Sequence, residues 1–328
     1  MSEVDVSVVV PVYNEEATIE PLCRQLHETL SSLGRPYEII LVDDGSTDGS
    51  WKRIQDQARR YPHICGIRLR RNFGQTAAMS AGIDAARGDI IVTMDADLQN
   101  DPADIPALLR QMDADPTVDV ISGWRRDRKD PWWTRRLPSH IANWLISWFT
   151  GVRLHDYGCT LKAYRASVLR DVRLYGEMHR FIPALAAWVG AQVTEVVVRH
   201  HPRRHGRSKY GLSRTLRVVL DLITVKYLLR YSHRPMQAFG KIGLLLAVPG
   251  VVLLGGIVAL HVSFWLFGTR WGADLIKRPA WLLMGFGLVF MGVQFIAIGL
   301  LAEVLTRTYH ESQAKPTYAV RERVESTP

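Results

Sequence analysis

The chain has 328 residues, 47 % of them hydrophobic, with a net charge of +9 and three cysteines. Cys23, Cys65 and Cys159 are odd in number and far apart, which argues against a disulfide framework or a zinc site and fits a reducing cytosol. The basic excess gathers at Arg125–Arg136, Arg199–Arg217 and Arg230–Lys241 with no nucleic-acid module beside it, so nucleic acid is set aside in favour of anionic headgroups.

Val6 to Val12 reads as a first buried strand, followed by a helix over about Glu16–Leu33. Tyr37–Val42 is a second strand, Ser50–Tyr61 a helix, and Ile64–Leu69 a third strand. Gln75–Arg87 is Ala-rich and helical, with Gly88 as its stop. Ile90–Met94, Pro102–Asp113 and Val118–Ser122 continue the alternation as strand, helix and strand. This pattern predicts a mostly parallel α/β sheet covered on both faces, with ligands beyond the carboxyl ends of its strands. Leu161–Arg170 and Met178–Val189 read as helices, Val193–Val198 as a late strand, and the polar stretch after Arg307 as irregular.

Two stretches, Ile242–Phe267 and Ala280–Ala302, contain no charged residue. As helices they would be roughly 39 and 34 Å long, enough for a hydrocarbon core of about 30 Å, against the alternative of two buried core helices. Trp132–Phe149 and Ser213–Tyr231 are basic and amphipathic, as interfacial helices are, although a solvated surface helix has the same pattern. Met1–Asp5 is polar and carries no signal-peptide pattern. Basic flanks put both ends of the hairpin on the cytoplasmic side of a membrane, with Arg270, Lys277 and Arg278 between the spans weakening that argument.

The chemistry gathers after the strands. Asp95 and Asp97 are one residue apart on extended backbone and point the same way, and Gln99 adds a neutral oxygen. Such all-oxygen sites suit Mg²⁺ or Mn²⁺ completed by substrate phosphates. Asp43, Asp44 and Asp48 crowd a Gly/Ser turn that has an Asx-capped connection as its plain alternative. The neighbouring Pro11-Val12-Tyr13-Asn14-Glu15 turn offers Tyr13 to stack on a base and a carboxylate to accept its ring N–H.

The series Pro11-Val12-Tyr13-Asn14-Glu15, Val42-Asp43-Asp44-Gly45-Ser46-Thr47-Asp48 and Asp95-Ala96-Asp97-Leu98-Gln99, in that order, resembles glycosyltransferase family 2 with its GT-A fold. Pro102 behind the last motif is similar to the branch that uses polyprenyl phosphate as acceptor, which includes dolichyl-phosphate mannose synthase. Arg71-Asn72-Phe73-Gly74-Gln75, Asp156-Tyr157-Gly158-Cys159 and Phe181-Ile182-Pro183 resemble the undecaprenyl-phosphate 4-deoxy-4-formamido-L-arabinose transferases. Bactoprenol glucosyltransferases more often carry an acidic residue where Cys159 stands.

The resemblance implies that Pro11, Tyr13, Glu15 and Asp44 line the base and ribose, with Asp43 in support and Gln75 near the nucleotide. Asp95 would face the ribose or donor sugar, while Asp97 and Gln99, with Asp95 beside them, would hold Mg²⁺ or Mn²⁺ on the diphosphate. Asp156 is the acidic residue expected at the reacting centre, a turn or N-cap carboxylate being the alternative. Arg125, Arg135, Ser139, Arg203 and Lys209 would bind the acceptor phosphate. Arg126, Arg128, Lys129 and Arg204 read as a solvated charge run, and His200, His201 and His205 lack the carboxylate spacing of a metal site.

The expected protein is a GT-A catalytic domain over residues 1–212, a juxtamembrane amphipathic helix over 213–235, a two-helix transmembrane hairpin over 236–306 and a cytoplasmic tail over 307–328. Its expected reaction is the inverting transfer of one sugar from a nucleotide diphosphate sugar, with UDP favoured over GDP, to undecaprenyl or another polyprenyl phosphate. The expected place is the cytoplasmic face of a bacterial inner membrane, with membrane lipids as partners and a homotetramer as a further implication. One rival is a processive polysaccharide synthase, but Arg270-Trp271 lacks the Gln of a Gln-x-x-Arg-Trp motif. The other is a non-catalytic scaffold that binds a nucleotide sugar, against which the intact Asp95, Asp97, Gln99 and Asp156 argue.

Overall fold

The computed structural model describes residues 4–126, 146–147, 151–172, 178–202, 235–268, 279–312 and 318–325. The chain divides into two compact units, one over 1–225 together with 316–328 and the other over 226–315.

Among the described residues the first unit is built on eight strands: β1 (Val6–Val12), β2 (Tyr37–Asp43), β3 (Ile64–Leu69), β4 (Ile90–Thr93), β5 (Val118–Trp124), β6 (Lys162–Arg165), β7 (Gln192–Val197) and β8 (Val320–Val324). They form one sheet in the order β7-β5-β6-β4-β1-β2-β3-β8. β1 runs parallel to β2 and β4, β2 parallel to β3, and β5 parallel to β7, whereas β6 and β8 run antiparallel to their neighbours. β1 and β2 are apolar at nearly every position because both faces of the sheet are covered.

One face carries α1 (Glu16–Ser31), α2 (Ser50–Arg60) and α4 (Ile105–Ala114), whose Leu22, Leu26, Ile54, Leu108 and Met112 pack on Val8, Val10, Ile39 and Leu41. The other carries α3 (Gln75–Ala85), α5 (Ala166–Asp171) and α6 (Ile182–Trp188), with Ala78, Met79, Leu169 and Ile182 against Val9, Ile40, Ile91 and Tyr164. Close packing explains the small residues of α3: a Cβ at Gly82 would stand 2.3 Å from a methyl of Val9.

Three local expectations need correction. Lys162–Arg165 is a strand, with α5 beginning only at Ala166, because the segment fills the gap between β4 and β5 in antiparallel register. α3 ends at Ala85 rather than running to Gly88, and Gly88 instead packs against Ser7, whose Oγ accepts its amide at 2.8 Å. The stretch after Arg307 is not wholly irregular. A second apolar helix runs to Ser312, and β8 then pairs with the β3 edge, Gly66 opposite Val324. The Tyr318 hydroxyl donates to Asp84 Oδ2 at 2.9 Å and the Arg70 amide to the Ala319 carbonyl at 2.9 Å.

The second unit contains α7 (Pro235–Phe267) and α8 (Pro279–Ser312). Both are long and apolar enough to cross a membrane, and only 17 % of the most apolar window of each is buried, unlike the core helices of the first unit. They meet through small residues: a Cβ at Gly243 would lie 2.7 Å from the Gly292 carbonyl oxygen, and one at Gly292 would lie 2.6 Å from the Cβ of Ala247.

Candidate active site

The polar motifs converge on the carboxyl ends of β1, β2, β4 and β5. Two loops are stitched together there. Asn14 adopts a left-handed backbone with φ of 56°, and its Oδ1 accepts the Thr47 amide at 2.9 Å. The amides of Asn14 and Glu15 donate to Ser46 Oγ at 3.0 Å and Ser50 Oγ at 2.9 Å. Asp48 binds the amides of Glu16 and Ser50, and Glu16 returns the contact to the Gly49 amide. Tyr13 stands out from this knit, 41 % exposed, as a ring offered for stacking must.

Asp43 and Asp44 are both buried. Asp44 receives the amides of Phe73 and Gly74 at 2.7 and 3.0 Å, so it holds the loop that leads to Gln75. Burial raises its carboxyl above the usual range, and those two amides oppose the shift. Asp43 Oδ1 accepts the Ser46 amide, while Oδ2 has no hydrogen-bond partner among the described residues and makes a 3.4 Å ion pair with Arg68. Of the two, Asp43 keeps the more available oxygen. Between these loops Gly45, with φ of 68°, lets the backbone of Arg71 approach: a Cβ there would lie 2.5 Å from its carbonyl carbon.

Gln75 and Asp95 are brought into direct contact, Nε2 donating to Oδ1 at 2.7 Å. Burial, then the neighbouring Asp97, pushes Asp95 up to about 6, against the pull of Thr160, Arg125 and Lys162. Leu98 turns left-handed with φ of 60°, and the Gln99 amide reaches back to Asp97 Oδ1 at 3.1 Å. Gln99 also ties the site to the end of β7: its carbonyl accepts the His201 amide at 2.9 Å, and Asn100 bridges His200. His201 pairs with Asp101 at 3.2 Å. Among the described residues no three His, Cys, Asp or Glu side chains form a metal cluster by themselves. Asp95, Asp97 and the Gln99 amide oxygen are nonetheless hard donors of the kind Mg²⁺ and Mn²⁺ take. The donor set fits a cation completed by diphosphate oxygens better than one caged by protein.

Arg125 follows β5, and Asp156 lies in a turn before β6. Arg125 Nε and Nη2 donate to Asp156 Oδ2 and Oδ1 at 2.7 and 3.0 Å, with side chains only 11 % and 5 % exposed. Burial alone would lower the Arg125 guanidinium, but its hydrogen bonds and charge pairing with Asp156 outweigh that and raise it. Arg135, Ser139, Arg203 and Lys209, and the amphipathic stretches Trp132–Phe149 and Ser213–Tyr231, lie outside the described residues, apart from the short helical piece at 146–147.

The sequence reading passed over Lys162, Glu195 and His179. Lys162 is buried on β6 and donates to the carbonyls of Tyr157 and Cys159. Glu195 on β7 accepts the amides of His155 and Asp156. His179 is buried against Thr76 Oγ1 at 2.8 Å. No local signal marked the first two: β6 reads Lys162-Ala163-Tyr164-Arg165, and Glu195 stands in β7 beside the polar Gln192 and Thr194.

The glycosyl transferase family 2 model matches residues 7–173, which span β1 to just past α5 and include the Pro11–Glu15, Val42–Asp48, Asp95–Gln99 and Asp156–Cys159 motifs. The chain belongs to glycosyltransferase family 2. This family 2 chain is 46 % identical over 329 residues to a dodecaprenyl-phosphate galacturonate synthase of Rhizobium johnstonii, covering 98 % of the chain and 94 % of the relative. It is 39 % identical over 325 residues to an undecaprenyl-phosphate 4-deoxy-4-formamido-L-arabinose transferase of Pseudomonas aeruginosa, covering 98 % and 91 %. Both relatives come from the branch that the motifs resemble. Among solved structures, mannosyl-3-phosphoglycerate synthase of Rubrobacter xylanophilus has a similar fold, with a TM-score of 0.54 at 18 % identity, over 68 % of this chain and 74 % of that one. Glucosyl-3-phosphoglycerate synthase of Mycobacterium tuberculosis, solved with Mn²⁺, UDP and phosphoglyceric acid, gives a TM-score of 0.51 at 22 % identity, over 68 % and 78 %. The shared part is the GT-A-like sheet.

Proposed function

We propose that this family 2 enzyme transfers one sugar, with inversion, from a UDP-sugar to a polyprenyl phosphate at the cytoplasmic face of a membrane. The observation that supports this reading is convergence: Asp95 follows β4 and Arg125 follows β5, and the charges of Arg125 and Lys162 act on Asp95, as expected if the donor motif and the Arg125–Asp156 pair serve one site. In this reading Pro11, Tyr13, Glu15, Asp43 and Asp44 take the nucleotide, and Gln75 orients Asp95 toward the donor sugar. Mg²⁺ or Mn²⁺, held by Asp97 and Gln99 beside Asp95, would supply positive charge to the leaving diphosphate.

An acceptor phosphate oxygen attacks the anomeric carbon, the bond from that carbon to the diphosphate breaks, and UDP departs with its electron pair. The acceptor is already ionised at neutral pH, so the reaction needs positioning more than a strong base. Asp156, whose oxygens are engaged by Arg125 and the Gly158 amide, suits the role of aiming Arg125 at that phosphate. Arg135, Ser139, Arg203 and Lys209 complete the acceptor site in this proposal. α7 and α8 cross the membrane and keep the domain at the surface where the lipid headgroup enters, and a tetramer remains part of the proposal.

The sugar we favour is galacturonate, because identity to the galacturonate synthase, at 46 %, exceeds the 39 % to the formamido-arabinose transferase. The test is lipid-dependent release of nucleotide by the full chain in detergent with Mn²⁺ or Mg²⁺ and undecaprenyl phosphate. The panel comprises UDP-galacturonate, UDP-4-deoxy-4-formamido-L-arabinose, UDP-glucose and GDP-mannose. UDP-galacturonate alone should support release. Release with another donor would change the sugar, and release independent of lipid would sink the acceptor.

A further inference from the structure

The structure assigns to Glu195 and Lys162 the role of positioning residues that hold the Asp156 turn, and through it the Arg125–Asp156 pair, from two sides with opposite charges. This inference rests on the catalytic reading of Asp156 given above.

Residues 155–159 form a short turn between β5 and β6 that exposes backbone donors at one end and acceptors at the other. Glu195 takes the donors. The His155 amide reaches Glu195 Oε1 at 2.8 Å and Oε2 at 3.0 Å, the Asp156 amide reaches Oε1 at 3.3 Å, and His155 Nδ1 lies 2.7 Å from Oε2. Lys162 takes the acceptors, donating to the Tyr157 carbonyl at 3.3 Å and to the Cys159 carbonyl. Charged partners make the strongest hydrogen bonds to backbone groups, so the turn is gripped more firmly than neutral contacts would allow.

The two grips come from one line across the sheet. Ser122 on β5 is in register with Lys162 on β6 and with Glu195 on β7, and Lys162 is in turn in register with Thr93 on β4. Directly paired residues project from the same face, so Lys162 and Glu195 flank the small side chain of Ser122 on one side of the sheet. A third contact adds to the grip: the His155 ring stacks on Trp124, the residue before Arg125, with centroids 4.2 Å apart and planes 16° from parallel. Glu195 thus fixes His155 and Asp156, His155 leans on Trp124, and Trp124 sets where Arg125 leaves the strand. Burying a lysine among strands is costly unless it is paired, and Lys162 is paired with the two carbonyls of this turn.

The test uses full-length protein in detergent, comparing wild type with Glu195→Gln, Lys162→Met and Asp156→Asn. Mn²⁺-dependent UDP binding counts competent sites by calorimetry. Lipid-dependent release of UDP from UDP-galacturonate is then expressed per UDP-binding site, with the KM for donor. Gln keeps one acceptor oxygen where three donors must be met, and Met keeps the length of Lys without its charge. Both should lower kcat per site by about tenfold to a hundredfold, with UDP affinity and donor KM within about twofold of wild type, as expected of a small misplacement near the reacting groups. A role confined to stability would reduce the number of UDP-binding sites and leave turnover per site unchanged. That result, beside an inactive Asp156→Asn, would overturn the positioning role alone. An Asp156→Asn enzyme working at the wild-type rate would instead overturn the reading of Asp156 itself.

Discussion

Arg125 and Asp156 meet as a two-pronged buried ion pair, with Nε and Nη2 of the guanidinium donating to opposite oxygens of the carboxylate at 2.7 and 3.0 Å. Removing one member of such a pair strands the other charge where water cannot reach it. Arg125→Ala should therefore cost about 3–5 kcal/mol of stability, and Asp156→Asn somewhat less because its amide retains an acceptor oxygen. Turnover of Asp156→Asn should fall by about a hundredfold or more while Mn²⁺–UDP affinity stays within about twofold. Thermal unfolding and calorimetric UDP binding read the two effects separately.

Asp97 stands two positions from Asp95, and burial and then the charge of Asp97 raise the Asp95 carboxyl. If both face a cation on the diphosphate, Asp97→Ala should abolish the gain in UDP affinity that Mn²⁺ gives and lower turnover by about a hundredfold or more. Titration of UDP with and without Mn²⁺ checks this. A variant that keeps its full Mn²⁺ response would remove Asp97 from the metal site.

His179 gives a pH dependence with a definite sign. Burial, then the charges of Arg180 and Lys162, depress it to about 3, whereas in an unfolded chain it titrates at an ordinary 6.5. Between those values the unfolded state binds the proton and the native state does not. Its contribution to stability is thus complete above 6.5 and is lost as the pH falls toward 3, at about 1.4 kcal/mol per pH unit. Acidification from pH 6.5 to 5 should lower the unfolding temperature of wild type by roughly 4 °C more than that of His179→Gln. Parallel curves for the two proteins would exclude His179 as the source.

β8 closes the β3 edge, and the hydrogen bond from Tyr318 to Asp84 pins its approach. Deleting residues 318–328 should lower the unfolding temperature of the first unit by roughly 4–8 °C and promote association through the open edge. Tyr318→Phe should cost only about 1 kcal/mol. Thermal unfolding with light scattering distinguishes the two, and an unchanged profile for the deletion would show that the edge needs no cover.

The alternation from Val6 to Trp124 was legible because parallel strands buried on both faces are short apolar runs, and amphipathic helices separate them. Asp43, Asp95 and Asp97 were legible too, since the loops that carry them are continuous in the chain. Lys162 was hidden by its own neighbourhood. Leu161–Arg170 contains Ala, Leu and Arg in helical proportions, and nothing local reveals that its first residues fill an antiparallel slot between β4 and β5. Glu195 acquires its meaning only from register, because it takes the row of Ser122 and so reaches a turn some forty residues earlier in the chain. β8 reads as a tail because an edge strand with Arg321, Glu322 and Arg323 buries little, and charge is what an edge strand is expected to carry.

The position of β8 also sets an order of synthesis. Its partner β3 leaves the ribosome long before α7 and α8, and β8 leaves after both, so Gln55 and Glu322 meet across 267 positions of chain. Throughout that interval the first unit carries an open strand edge beside a nearly finished core. Contacts so distant in sequence form late and slowly. The last strand can dock only when the apolar helices have been made and the chain has come back to the unit it left. A completed sheet is therefore a record that the apolar excursion has been made, and a chain stalled midway would display the bare β3 edge to whatever surveys nascent proteins.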